Sequence, residues 1–286
     1  MKERLRRLKP WVFWPLILGG LGWVVYGGLG FRRVDPQLAP PPRYTTEPLG
    51  RLLRAHLRSE GMDYEGLRRD EARLRRQAAA FQAFGPQSTP EVFPNAASRL
   101  AYEINAYNTF VLLGVVTHMP IGSVRDVHGP IEPRAGFGFF YGLRFGLDGG
   151  WTNLYDLEVH LRELGDARIH AAINCASVSC PSLWPEPFDT DRLDAQLESA
   201  TRRMVADPRH VRIDVDREAL VLSAIFDWYD ADFRAHAARH GLGSTTLDFV
   251  AHYLDGERRA RFETARSAGW PVRFAPYDWS LNRSSD

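Results

Sequence analysis

Leu100-Ala101-Tyr102-Glu103-Ile104-Asn105-Ala106-Tyr107-Asn108-Thr109-Phe110-Val111-Leu112-Leu113-Gly114-Val115-Val116 is apolar on nearly every side of a helical wheel. A helix without a polar face belongs inside a core rather than at its edge. The run therefore predicts a central buried helix over 97–117. Around it, 49–58 and 67–84 read as amphipathic helices, parted by Gly61-Met62-Asp63-Tyr64. Beyond it, 143–147 and the residues after the Asp148-Gly149-Gly150 turn suggest a hairpin. Asn153 caps a helix to about 164, and 168–173 reads as a strand. A helix over 189–205 and a second hairpin, 211–215 with 219–222 across Asp216-Arg217, follow. Ser223 caps an aromatic helix (AIFDWYDADF), and the tail alternates short helices. Helices outnumber strands and the strands come in hairpins. The expected fold class is α+β, a helix-rich single domain with a small antiparallel sheet.

The first 32 residues differ from the rest. Lys2, Arg4, Arg6, Arg7 and Lys9 precede an uncharged run over 10–31. As a helix that run would span about 33 Å, enough for a hydrocarbon core of about 30 Å. The expectation is a basic tip and a single transmembrane anchor over 1–32. A proline-rich linker over 33–43 and a domain over 44–286 follow. The cationic flank would stay cytoplasmic, making the chain a single-pass inner-membrane protein with its domain on the periplasmic side.

Residues 33–286 hold 30 basic and 34 acidic side chains, and no basic stripe with interleaved aromatics appears. Nucleic acid is not an expected partner; a peptide or protein of the cell envelope is. The only lysines are Lys2 and Lys9. A Schiff base, a P-loop lysine and a Ser–Lys dyad are thus excluded from the domain. There is no G-x-S-x-G elbow, no H-E-x-x-H and no glycine-rich nucleotide fingerprint.

What remains centres on IHAAINCASVSCP, Ile169 to Pro181, which holds both cysteines, Cys175 and Cys180, with His170 just ahead. Five positions apart, the pair is read as used together: a clamp, a redox couple, or a nucleophile with a structural neighbour. In an oxidising compartment the two could form a disulfide. As a nucleophile, Cys175 would need a base and a lowered pKa. Two cysteines and one histidine at this spacing make no common zinc knuckle, so no metal or cofactor is expected. Asn105 and Asn108 share a face of the apolar helix and must be hydrogen-bonded there, as braces or as orienting groups. Asp156 and His160 share another helix face, with Glu158 pointing away from both.

These residues also carry a resemblance. The chain resembles the DUF547 family, a domain of unknown function. The matching pieces are Gly61-Met62-Asp63-Tyr64, Ile104-Asn105-Ala106-Tyr107-Asn108, Asp156-Leu157-Glu158, Arg168-Ile169-His170, Cys175 to Pro181, Ile225-Phe226-Asp227-Trp228-Tyr229 and Tyr277-Asp278-Trp279-Ser280-Leu281-Asn282. Val159 stands where the family pattern has a histidine. The set of Asn, Glu, His and Cys is similar to that of papain-like and transglutaminase-like thiol enzymes, which would imply a related fold.

Two functions compete. In the first, a thiol-dependent hydrolase or acyltransferase acts on peptide or amide bonds. Cys175 would be its nucleophile, His170 its base, Glu158 the orienting carboxylate, and Asn105 or Asn108 a brace or oxyanion donor, with Asp156, Ser179 and Cys180 in support. In the second, a non-catalytic binding module carries a structural Cys175–Cys180 disulfide and a contact surface over the aromatic 129–142 segment. A free Cys175 beside His170 in a cleft favours the enzyme; a bridged pair far from it favours the module.

Overall fold

The central helix, α4 (Ala96–His118), follows β1 (Arg32–Val34), α1 (Glu47–His56), α2 (Tyr64–Arg69) and α3 (Glu71–Ala83). The computed structural model describes residues 31–36, 38–129 and 134–284. A reciprocal capping box starts α4. Asn95 Oδ1 accepts from the Ser98 amide at 2.9 Å, and Ser98 Oγ accepts from the Asn95 amide at 3.2 Å. Pro120 stops it, having no amide to continue the ladder. Between these ends nearly every side chain is buried. Phe81 of α3 meets Phe110 edge-on at 6.0 Å, and Tyr102 Oη donates to the Phe81 carbonyl at 2.8 Å.

The helix expected over 67–84 is two. Asp63 caps α2 by accepting from the Gly66 amide, and Asp70, held by His56 at 2.8 Å and Arg73 at 3.1 Å, marks the break before α3.

The rest comprises β2 (Leu143–Leu147), β3 (Gly150–Thr152), α5 (Leu154–Glu163), α6 (Leu193–Ala206), β4 (Val211–Asp214) and β5 (Ala219–Ser223). Then come α7 (Ala224–Trp228), α8 (Asp230–Arg239), α9 (Thr246–Tyr253), α10 (Gly256–Ser267) and β6 (Val272–Ala275). The fold is α+β, but the expected small antiparallel sheet is corrected to two mixed ones. Each hairpin gains a parallel edge strand from far along the chain: β1 on β2, with Val34 opposite Phe145, and β6 on β5, with Phe274 opposite Leu222.

The membrane expectation is corrected as well. Among the described residues no helix is long and apolar enough to cross a membrane. Up to residue 30, the run that suggested an anchor lies outside those residues. The single-pass localisation is accordingly withdrawn, and the expected inner-membrane contact through 10–31 falls almost wholly outside the described residues.

Two apolar clusters form the interior. One surrounds α4, and the other gathers Phe226, Phe233, Phe249 and Phe262 with β5. The expected strand over 168–173 is instead a 3-10 turn, Ala167–Ala171, on the seam between them. Asp166 starts the turn by accepting from the Arg168 amide at 3.0 Å. Ile169 enters the first cluster, whereas Ala167 and Ala171 enter the second. The seam is where His170 sits.

After this turn the chain runs irregularly to Pro181, and its buried backbone groups need partners outside regular structure. Asn108 supplies two: Nδ2 donates to the Ala172 carbonyl at 2.9 Å, and Oδ1 accepts from the Asn174 amide at 2.9 Å. Replacing Asn108 with Ala would bury both groups unpaired, at about 1–3 kcal/mol each. Urea unfolding of Asn108→Ala should show a loss of about 2–5 kcal/mol.

Candidate functional site

Cys175 follows immediately on the residues that Asn108 clamps. Asn174 holds the turn from within: its Oδ1 accepts from the Ala176 amide at 2.8 Å, and its Nδ2 donates to the Pro181 carbonyl at 2.7 Å. Ala176 is fully buried and left-handed, with φ +63°. That conformation costs a non-glycine residue about 1 kcal/mol or more and persists only where the surroundings enforce it.

The carboxy-terminal segment encloses the same loop. The Asn282 amide donates to the Ala176 carbonyl at 2.9 Å, the Val178 amide donates to Ser280, and the Asp278 amide donates to Ser179 Oγ at 2.9 Å. Tyr64 Oη donates to Asn282 Oδ1 at 2.6 Å, tying the Gly61-Met62-Asp63-Tyr64 motif to the tail. At Gly61 any Cβ would lie 2.2 Å from the Asn282 carbonyl oxygen, so only glycine fits.

The disulfide that the binding-module alternative calls for is absent: Cys175 and Cys180 are free thiols. Cys180 is buried and Cys175 is partly exposed. The Cys175 amide donates to Cys180 Sγ at 3.0 Å, with Tyr277 Oη 3.1 Å and Ser177 Oγ 3.4 Å from Cys175 Sγ. The Cys180 thiol, hydrogen-bonded to the Cys175 sulfur, is the largest cause lowering the Cys175 pKa. Burial opposes it, and hydrogen bonds from Ser177 and Tyr277 reinforce it, bringing the value to about 7. Burial drives Cys180 the other way, well above the ordinary thiol range, and its contact with Cys175 adds to the rise. The two sulfurs are therefore inequivalent: one ionisable and reachable, one a buried donor.

His170 lies in the same cleft as Cys175. Its Nε2 meets Asp232 Oδ2 at 2.9 Å, and its ring stacks on Tyr229 at 4.1 Å between centroids. Arg162 Nε also donates to Asp232, at 2.7 Å. Burial alone would raise the Asp232 carboxyl, but the His170 and Arg162 hydrogen bonds outweigh it and take the pKa to about 2. With Nε2 so held, Nδ1 is the ring nitrogen left for proton exchange. The carboxylate that orients His170 is thus Asp232, a residue not singled out from the sequence. Glu158 stands one ring away, its Oε1 accepting from Tyr229 Oη at 2.6 Å.

The remaining candidates separate. Asn105 is a brace: both ends of its amide are taken by the Phe188 backbone, at 2.8 and 2.9 Å. Asp156 lies at the start of α5, bonded to Asn153 at 2.8 Å and near Arg144 at 3.6 Å. His160 pairs with Glu103 of α4 at 3.0 Å, facing away from the cleft that Glu158 lines. Ser179 serves as an anchor for the tail. In the 129–142 segment, Phe139 is buried in the core, while Phe137, Phe140 and Tyr141 are half-buried along the cleft.

Cys175, His170 and Glu158 thus converge on one cleft of about 350 Å³, within the usual size of small-molecule sites. Among the described residues no group of three His, Cys, Asp or Glu side chains is arranged to hold a metal ion.

Residues 158–205 match the family model described as "Protein of unknown function, DUF547". That span includes Glu158, His170, Cys175 and Cys180. No curated protein and no solved structure matches the chain.

Cys180→Ala should move the half-maximal pH of Cys175 alkylation from about 7 towards the ordinary thiol value of about 8.5. Stopped alkylation followed by mass spectrometry across pH reads this directly. Asp232 has a lowered folded-state pKa, so its stabilisation is present above the unfolded value and lost as pH falls through the folded one. Asp232→Asn should cost about 2 kcal/mol at neutral pH. In denaturant titrations the deficit should be complete above about pH 4 and vanish near about pH 2.

Proposed function

We propose that the cleft performs acyl transfer or hydrolysis through a thiol, with Cys175 as nucleophile and His170 as general base and acid. One observation carries this reading: a partly exposed thiol with its pKa lowered to about 7 shares a cleft with an imidazole braced by a carboxylate. Near pH 7 a large fraction of such a thiol is thiolate, the form that attacks a carbonyl.

In the forward step His170 Nδ1 takes the Cys175 thiol proton, the sulfur bonds to the carbonyl carbon of an amide or ester, and that π pair moves onto oxygen. As the oxygen pair re-forms the carbonyl, the leaving nitrogen or oxygen departs with its bond pair and takes the proton from His170 Nδ1, leaving a thioester. Water or an amine attacks the thioester while His170 accepts its proton, and Cys175 leaves as thiolate. Asp232 keeps the imidazole in one orientation through Nε2, the role a carboxylate has in thiol and serine triads. The Cys175 amide is committed to Cys180, so the hydroxyls beside the reacting sulfur are Tyr277 Oη and Ser177 Oγ, the latter accepting from the thiol and able to donate once the sulfur is thiolate.

The module alternative has lost its staple, since the two thiols are unbridged.

p-Nitrophenyl acetate tests the reading. A burst of p-nitrophenol equimolar with protein is expected, with the acetyl group found on Cys175 by peptide mass spectrometry. Cys175→Ala should abolish it, and His170→Ala should slow it at least about 10³-fold. No burst, or a burst that survives Cys175→Ala, would overturn the proposal.

A further inference from the structure

Resting on that reading, we infer that the acyl group accepted at Cys175 carries a planar aromatic ring. Two clusters of rings line the cleft. In one, Phe137 stacks on Tyr141 at 4.8 Å and Tyr141 on Tyr155 at 4.2 Å, with interplanar angles of 11° and 22°. In the other, Trp228, Tyr277 and Trp279 contact one another at 4.6–5.9 Å, and Trp228 lies within 21° of parallel to Trp279. Tyr277 belongs to both the ring cluster and the thiol's hydrogen-bond shell, so the aromatic wall begins at the reacting sulfur.

Each cluster leaves one ring open. Tyr155 is 40% and Trp228 47% exposed, among the largest apolar exposures of the described residues. A partly exposed ring at the end of a ring cluster can take a further ring, and a flat aromatic group gains more there than an alkyl chain of equal area.

Three p-nitrophenyl esters test this on the whole chain: 3-phenylpropanoate, acetate and hexanoate, the last an alkyl chain without a ring. Burst rates should rank 3-phenylpropanoate at least about tenfold above acetate, a ratio that 1.4 kcal/mol of ring contact would give, with hexanoate between them. Trp228→Ala should remove most of the 3-phenylpropanoate advantage, and Phe137→Ala, in the other cluster, should also reduce it. The acetate rate on each variant shows whether the thiol site still forms. An acetate burst with no 3-phenylpropanoate preference, or hexanoate as fast as the aromatic ester, overturns the substrate class and leaves the thiol reading standing. No burst from any ester overturns both.

Discussion

The site depends on the requirement that a buried amide be satisfied. Asn108 projects from a helix with almost no polar surface, and its two hydrogen bonds go to Ala172 and Asn174, the residues that lead into Cys175. An irregular loop inside an apolar core would otherwise strand its own backbone donors and acceptors. One turn earlier on the helix, Asn105 does the same for Phe188. The most apolar element of the fold thus holds its least regular segments, and rigidity passes from helix to loop through two side chains. Left-handed Ala176 can persist because Asn174 on one side and Asn282 on the other fix the groups around it.

The inequivalence of the two thiols follows from the asymmetry this rigidity imposes. Two cysteines in a mobile loop would have similar environments. Here the loop buries Cys180 and leaves Cys175 at the cleft. Burial keeps Cys180 protonated, and a protonated sulfur can donate to its neighbour; the same burial that disfavours charge on one sulfur thereby supports it on the other. Asp232 works by a parallel route, its charge held by His170 and Arg162 against the desolvation it suffers.

Elements that announce themselves locally were legible in the sequence. The central helix, expected over 97–117, runs Ala96–His118 because a capping box and a proline bracket an apolar run. Both hairpins were visible from their turns and alternation. The parallel edge strands were not, since β1 and β6 are short and their partners lie far along the chain. The turn holding His170 was misread as a strand: the spacing of His170, Ala172 and Asn174 imitates period two, while Asp166 capping the Arg168 amide sets a 3-10 turn instead. Cys175, His170 and Glu158 were legible as residue types, but their pairing was not. Asp232 contacts His170 from 62 positions away, on a helix whose sequence offers both Asp230 and Asp232 and no way to choose between them.

Tyr229 shows why the two carboxylates have different tasks. One of its faces stacks on His170, Arg162 lies over the ring, and its hydroxyl donates to Glu158. Burial first, and then the charge of Glu158, push its pKa well above the ordinary phenol range. Tyr277 is driven in the same direction by burial and by the two cysteines, and Tyr107 by burial and Glu158. Three phenols around the cleft therefore stay protonated at neutral pH and cannot act as bases. In the proposed reaction, proton traffic then falls to the Cys175 thiol and the His170 imidazole. Glu158 enforces that division by holding the tyrosine proton in place, and Asp232 completes it by fixing which imidazole nitrogen is left to work.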